Sequence, residues 1–484
     1  MILKLNPQFT IRNEDNCSYL IKKNGTINSL VDKDTQSVTI IPPAIGYILE
    51  MIGKTDYSKS VEDLSSKLCV SKDVLGSFLQ ELSTDSSKQI KFNGTSIFFP
   101  KYLLVHSDTP SIKTDKISKN FKSADLVLER PITPINVNIM VTTKCTTNCC
   151  YCYAKRKFDY ELSSTEIINI IENCYNLGVV NLNLTGGDIF ARKDWREILF
   201  TARKFGYSPF ISTKTPLSES EVNYLSSIGI SEIQFSLDSC KKDILQELIG
   251  VQADYIENVA LMFQFCQTYH IKLCIRTVLC NQNANVHFVS ELFHFISKYS
   301  CIKDWVLTPA FFSEFKQRYQ QYEVSNDKLI AVRDYVTKLD KIFPVYLSKI
   351  TSCGYKLKQY PTVNEYVSYN QKCYANSYSM SILASGECSI CEMLYDNKEY
   401  LIGNIRNQTL TEIWNSKRAL LLYAPMQPDI SEASPCHSCS VFDKCRKSIS
   451  KRVCYVDISK TNKHNSLNYP DPRCPMANEV NVVL

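Results

Sequence analysis

Three thiols, Cys145, Cys149 and Cys152, stand at C-x3-C-x2-C spacing in the run Cys145-Thr-Thr-Asn-Cys149-Cys150-Tyr-Cys152. Such a group can hold three corners of a 4Fe–4S cube, whereas a closed cluster takes four cysteines. One iron is then left open to a further ligand. Half of a zinc site is the competing reading, although zinc usually pairs a C-x2-C with a second pair. Cys150 sits beside the group at a spacing that suits no ligand role. Thiols gather again toward the C-terminus at Cys373, Cys391, Cys436, Cys439, Cys445, Cys454 and Cys474.

Composition fits metal chemistry in a reducing compartment. The 484 residues carry 21 cysteines, and in a cytosolic chain clustered thiols mean metal more often than disulfides. The start, Met1-Ile-Leu-Lys-Leu-Asn-Pro, has no long apolar stretch before a cleavage site, and no window approaches a membrane span. A cytoplasmic protein without a membrane partner is the expectation. A net charge of +6 with scattered lysines argues against nucleic acid.

The elements that position these residues follow from periodicity. Residues 1–103 read as a small unit. Phe9–Ile11 and Tyr19–Ile21 are strand fragments, with Asn24-Gly25 a possible tight turn. Pro42-Pro43 opens a helix with Ile45, Ile48, Leu49 and Ile52 on one face. Ser60, with Asp63 three residues on, resembles a helix N-cap, and a third helix carries Val74, Leu75, Phe78, Leu79 and Leu82. A hairpin through Asn93-Gly94 joins Ile90–Phe92 to Ile97–Phe99, which completes a winged-helix pattern. The third helix has one lysine and two acids, poor for phosphate contacts. Residues 104–132 are polar and broken and read as a linker.

From residue 133 strands and helices alternate. Strands are expected at 135–141, 180–184, 209–211, 233–238, 273–279 and 305–307, and Ser163-x-x-Glu166 is a capping box for a helix bearing Ile167, Ile168, Ile171 and Tyr175. Six strands alternating with helices imply a parallel sheet whose C-terminal ends carry the motifs.

The cysteine motif at the end of the first of these strands closely resembles that of the radical S-adenosylmethionine (SAM) superfamily. The resemblance implies an α/β fold, a partial (β/α)6 TIM barrel over 133–345. It also implies that the amine and carboxylate of SAM fill the open iron, and that one electron then yields a 5′-deoxyadenosyl radical. Gly186-Gly187-Asp188 stands where the family has Gly-Gly-Glu, implying contacts to the SAM amine. Ser236 is similar to the serine that binds the SAM carboxylate, Ser212 to the position that touches the ribose, and Tyr151 to the aromatic near the adenine. The family's usual His and Arg after Ser236-Leu-Asp-Ser are Leu245 and Ile249, with Arg276 a candidate substitute. The third-strand turn reads Ser-Thr-Lys-Thr where relatives have Thr-Asn-Gly-Thr.

Residues 346–484 resemble a SPASM domain, the auxiliary-cluster module of peptide-modifying radical SAM enzymes. Cys373-x12-Gly386-x4-Cys391 and Cys436-x2-Cys439-x5-Cys445 follow its pattern, and Cys454 replaces a cysteine expected at Ile449. The resemblance implies three 4Fe–4S clusters, one SAM-binding and two auxiliary. Auxiliary cluster I would use Cys373, Cys391 and Cys454, with Cys388 or Cys353 as fourth; cluster II would use Cys436, Cys439, Cys445 and Cys474. Zinc competes at the latter four. The N-terminal unit resembles the PqqD-like element to which a leader peptide adds as a strand. The implied enzyme is a peptide maturase resembling sactisynthases, taking a precursor peptide with its leader and an electron donor such as flavodoxin or ferredoxin. Thioether crosslinking ranks first. Carbon–carbon crosslinking, epimerisation and sulfatase-type oxidation are alternatives, and a redox-sensing DNA-binding regulator is the competing class.

Overall fold

The computed structural model describes residues 2–23, 38–92, 94–110, 130–152, 160–310, 321–339, 343–347, 360–368, 375–394, 397–447, 453–461 and 466–477. The chain divides into two compact units, Met1–Pro131 and Ile132–Leu484. Asn24-Gly25, Asn93, Cys353 and Cys373 lie outside the described residues.

The first unit runs β1 (Ile2–Leu5), β2 (Phe9–Asn13), β3 (Ser18–Lys22), β4 (Val38–Ile41), α1 (Pro43–Met51), α2 (Tyr57–Leu68), α3 (Lys72–Glu81), β5 (Lys88–Phe92), β6 (Thr95–Phe99) and β7 (Leu104–Ser107). β2, β3 and β4 form an antiparallel sheet, and β5 and β6 form the expected hairpin. Pro42 caps α1 with Pro43 in its first turn, where a missing N–H costs nothing. α2 starts earlier than expected. Asp56 is its N-cap and accepts from Lys59 N at 3.1 Å, while Ser60 is buried within the helix against Thr55. Leu20, Ile41, Leu49, Leu64, Leu79 and Phe99 share one core. Leu104–Ser107, expected in the linker, is instead a strand pairing antiparallel with β1, because Leu104 is fully buried against that core.

The second unit alternates β8 (Asn136–Thr142), α4 (Ser164–Asn176), β9 (Asn181–Gly186), α5 (Trp195–Lys204), β10 (Ser212–Thr213), α6 (Glu219–Ser227), β11 (Glu232–Ser236), α7 (Lys242–Ile249), α8 (Tyr255–Thr268), β12 (Lys272–Leu279), α9 (Val286–Ile296), β13 (Ile302–Pro309), α10 (Asn326–Lys338) and β14 (Val345–Leu347). Every pairing in the order β10-β11-β12-β13-β14 is parallel, as is β8 with β9. The alternation of Asn and Leu has a direct cause. Asn138 and Asn183 sit in register and share an amide hydrogen bond of 2.7 Å, while Leu182 and Leu184 are buried on the other face in the main core. The Ser163/Glu166 capping box forms, but α4 buries Ile167, Ile170, Ile171 and Cys174, and Tyr175 is 54% exposed. The third strand lies at 212–213 and not at 209–211. Pro209 has no N–H to give a ladder.

The chain then forms α11 (Val363–Ser368), β15 (Ser379–Ile382), β16 (Glu387–Ser389), β17 (Leu401–Asn404), α12 (Leu410–Trp414), α13 (Lys417–Tyr423), α14 (Phe442–Arg446) and α15 (Tyr455–Thr461). β15 pairs in parallel with β8, and β16 and β17 extend that sheet antiparallel. The C-terminal region is therefore built onto the β8–β9 sheet. Arg406 reinforces the join, donating to Glu166 Oε1 and the Ser385 carbonyl, each at 2.7 Å. Among the described residues no helix is long and apolar enough to cross a membrane.

Candidate active site

The cysteine loop leaves β8 and is tied down on three sides. Glu161 accepts from Thr142 Oγ1 (2.9 Å), Thr143 N (2.7 Å) and Thr143 Oγ1 (2.6 Å). Asn148 N and Cys150 N donate to the Ile249 and Leu248 carbonyls at 2.7 and 2.8 Å, satisfying acceptors that the end of α7 leaves open. The turn after β9 supplies the third tether: Gly187 N donates to the Thr142 carbonyl and Asp188 N to the Lys144 carbonyl. This closeness needs glycine. Gly186 has φ of +128°, and a Cβ there would meet the Thr142 oxygen at 2.2 Å. A Cβ on Gly187 would meet the Lys144 oxygen at 2.1 Å.

These tethers frame a cavity of about 220 Å³ lined by all three thiols, Cys145, Cys149 and Cys152. Tyr151, Gly186, Gly187, Asp188, Ser212 and Ser236 line it too. Among the described residues no three Cys, His, Asp or Glu donors converge on a single ion. The thiols edge a space several times the ~30 Å³ share of one water, a size that fits a cluster with an organic ligand better than one ion. Burial raises the Cys149 thiol pKa, with Lys214 acting in the opposite sense. Cys150 is half-buried and does not line the cavity.

Arg276 does not join them. Its guanidinium forms a buried ion pair with Asp304 on β13 and donates to the Ile275 carbonyl at 2.9 Å. Arg276 is not among the residues that line the cavity, and its Nε and Nη2 have no hydrogen-bond partner within the described residues. Conversely, spacing did not single out Lys214 or Asp238. Lys214 lines the cavity, and its Nζ meets Asp238 Oδ2 at 2.8 Å. The Tyr151 hydroxyl donates to that same oxygen, and Val278 N to Oδ1 at 2.9 Å. Burial works against the Lys214 charge, yet Asp238 and Cys149 outweigh it and raise its pKa. Burial, then Asp238, pushes the Tyr151 phenol well up. The signal for both residues was present in the Ser-Thr-Lys-Thr and Ser-Leu-Asp-Ser turns.

Asp188 lines the cavity, but its carboxylate is engaged. Oδ1 accepts from Phe190 N at 3.0 Å; Oδ2 accepts from Thr213 Oγ1 (2.7 Å), Thr215 Oγ1 (2.8 Å) and Lys214 N (3.3 Å).

A second cavity, near α14, is lined by Cys436, Cys439, Cys445 and Cys474. Gln427 Nε2 donates to the Cys436 and Cys439 carbonyls at 3.1 and 3.0 Å. Arg446, 1% exposed, donates to Cys436 Sγ at 3.6 Å and to the Tyr469 carbonyl. Burial raises the pKa of Cys445 to about 12 and of Cys474 to about 11. Four thiols with a cation beside them suit a cluster that carries negative charge. Cys391 and Cys454 lie elsewhere; Cys454 N donates to Asp471 Oδ2 at 2.8 Å, and Cys391 is half-buried after β16. Cys388 is fully buried beside Cys174 in the core, its thiol donating to the Gly386 carbonyl.

With this geometry in hand, similarity to known proteins is informative. Residues 139–283 match the radical SAM superfamily, and residues 373–440 match the SPASM iron–sulfur cluster-binding domain. The chain is 22% identical to the PqqA peptide cyclase of Rhizobium meliloti (strain 1021), over 64% of this chain and 81% of that protein. It is 25% identical to the GTP 3′,8-cyclase of Clostridium perfringens (strain SM101 / Type A), over 30% of this chain and 46% of that protein. Its fold is similar to Streptococcus suis SuiB bound to precursor peptide SuiA, with a TM-score of 0.62 and 16% identity, covering 99% of this chain and all of SuiB. The same protein bound to S-adenosylmethionine gives 0.60 at 15% identity, covering 98% of this chain and all of that one. Residues 139–283 are thus a radical SAM domain, and residues 373–440 a SPASM-type iron–sulfur cluster-binding domain.

Proposed function

We propose that this enzyme modifies a precursor peptide by hydrogen abstraction, with thioether crosslinking as its reaction. One observation carries the reading: Cys145, Cys149 and Cys152 share a cavity with Tyr151, Gly186, Gly187, Asp188, Ser212 and Ser236, at the ends of successive parallel strands. In this reading β8–β13 act as a partial barrel. The three thiolates hold a 4Fe–4S cluster, and the strand-end residues hold SAM. When bound, the pair supplies a 5′-deoxyadenosyl radical. The chain's own task is to orient and enclose: Glu161 pins the cysteine loop, and the two glycines bring its backbone against the β9 turn.

The peptide assignment draws on PqqA peptide cyclase as a relative and on the likeness to SuiB, a protein seen with a precursor peptide. The first unit supports it through its winged-helix order and an edge. Among the described residues, β2 pairs only with β3, so its other side is open to a leader strand. Making a thioether from a thiol and a C–H bond removes two hydrogens overall, so an electron acceptor is required. Cys436, Cys439, Cys445 and Cys474 would hold one auxiliary cluster; Cys373, Cys391 and Cys454 would contribute to the other. A cytoplasmic flavodoxin or ferredoxin would supply the initiating electron.

The test is co-expression with the peptide of a neighbouring reading frame, followed by mass analysis. The product should lose two hydrogens per crosslink and one alkylatable thiol. Loss of two hydrogens with every thiol still alkylatable would replace thioether by carbon–carbon chemistry. Deleting the first unit should leave SAM cleavage intact and abolish modification of free precursor; equal modification would remove the leader-binding role.

A further inference from the structure

Two departures from the family pattern meet in the structure. Asp188 stands in place of a longer Glu, and Lys214 stands in the third-strand turn. Asp188 Oδ2 gathers the hydroxyls of Thr213 and Thr215 and the backbone N–H of Lys214 itself. From the other side the Tyr255 hydroxyl donates to the Lys214 carbonyl at 2.7 Å. The Lys214 backbone is therefore clamped on both faces, and its side chain projects along the cavity wall, 13% exposed.

Among the described residues lining that cavity, Lys214 is the one cationic side chain. Its Nζ is 3.5 Å from the carbonyl of Ser236, a residue that lines the same wall, and 5.6 Å from the centre of the Tyr151 ring. Asp238 stands behind it and shares its charge among three donors: Lys214, the Tyr151 hydroxyl and Val278 N. An ammonium has three N–H groups, so Lys214 can hold Asp238 and still meet a second anion. Among the described residues the positions after Ser236-Leu-Asp-Ser, Leu245 and Ile249, are buried and apolar, and Arg276, which donates to Asp304, does not line the cavity.

We propose that Lys214 anchors the carboxylate of the methionine moiety of SAM, and that Asp188 is the positioning residue that holds it in place. The assignment rests on the SAM reading above. An anion held by a desolvated ammonium gains a charge-assisted hydrogen bond, worth ~10–100-fold in affinity.

The experiment compares SAM with decarboxylated SAM, which lacks only the carboxylate, by equilibrium dialysis on anaerobically reconstituted full-length protein. Wild type should prefer SAM. Lys214→Met should weaken SAM ~10–100-fold, leave decarboxylated SAM unchanged and retain wild-type iron. Lys214→Arg should keep most of the preference. Asp188→Asn should lower the SAM-to-decarboxylated ratio ~3–10-fold, which a general loosening of the fold would not do. If Lys214→Met loses its cluster, the same ratio is read on Lys214→Gln. Equal loss for both ligands, or none for either, overturns the anchor. Wild-type protein that binds no SAM overturns the cofactor reading together with it, whereas normal wild-type binding with an insensitive Lys214 variant overturns the anchor alone.

Discussion

The two cysteine groups are built in opposite ways. The first draws its walls from six strand ends or the turns that follow them, after β8, β9, β10, β11, β12 and β13, and its loop is held by residues from Glu161 to Ile249. The second keeps Cys436, Cys439 and Cys445 within one short turn-and-helix segment and needs Cys474 and Asp471 from a later turn to close. In the first, the cation beside the thiols is also a cavity wall. In the second, the cation, Arg446, also lines the cavity but is only 1% exposed. The difference separates a site that must admit a ligand from one that need only enclose its own contents.

The largest expected effect tests that division directly. Replacing Cys145, Cys149 and Cys152 by Ala should abolish dithionite-driven 5′-deoxyadenosine formation while the second group keeps its iron. Reconstituted wild type should hold ~12 irons and this variant ~8, as expected for three four-iron clusters. A wild-type rate from the triple variant would end the first assignment, and zinc in the isolated second group would end the other.

Next comes Arg446→Leu. Removing a buried cation that contacts Cys436 should cost about 3 kcal/mol in denaturant unfolding and lower iron retention at the second group only. Loss of iron at both groups would show that they are not independent.

Gly187→Ala is expected to cost about 2 kcal/mol, because the new methyl overlaps the Lys144 carbonyl. The damage should appear as weaker SAM binding and a lower melting temperature, with the second group's iron unchanged.

The smallest effect concerns the join between the regions. Arg406, then the Ser163 backbone, holds the Glu166 pKa down at about 2. A carboxylate with a depressed folded pKa stabilises fully above its ordinary value near 4.5 and loses that contribution as pH falls toward 2. The pair is about one-third exposed, so screening limits it to below about 1 kcal/mol. Glu166→Gln should therefore destabilise cluster-free protein slightly at pH 7 and progressively less at pH 4 and pH 3. An unchanged penalty across that range would show that the carboxylate charge, in the Arg406 pair and in the capping box alike, contributes nothing.

Much of the molecule was legible before folding. The Ser163/Glu166 capping box, the β5–β6 hairpin, the strand and helix alternation from residue 136 and the thiol spacing all depend on residues a few positions apart. Local periodicity and cap chemistry act over that range, so sequence carries them. The sequence pattern names Tyr175 on the helix with Ile167, Ile168 and Ile171, whereas positions 167, 170, 171 and 174 form the buried stripe. The pairing of Arg276 with Asp304, 28 residues away on the next strand, is of a kind that local spacing does not encode.

The sequence by itself determined which residue types could do chemistry here: three thiols at cluster spacing, two glycines able to let backbones touch, and a second thiol group near the C-terminus. Tertiary structure alone decided which charges face the cavity. Lys214, Asp238, Asp188 and Tyr151 come from four segments, and strand register brings them within hydrogen-bonding reach. Tertiary structure also decided that β15–β17 extend the β8–β9 sheet. The physical reason is the same in both cases. A hydrogen bond across a parallel sheet depends on register between distant strands, and no spacing within one strand encodes its partner.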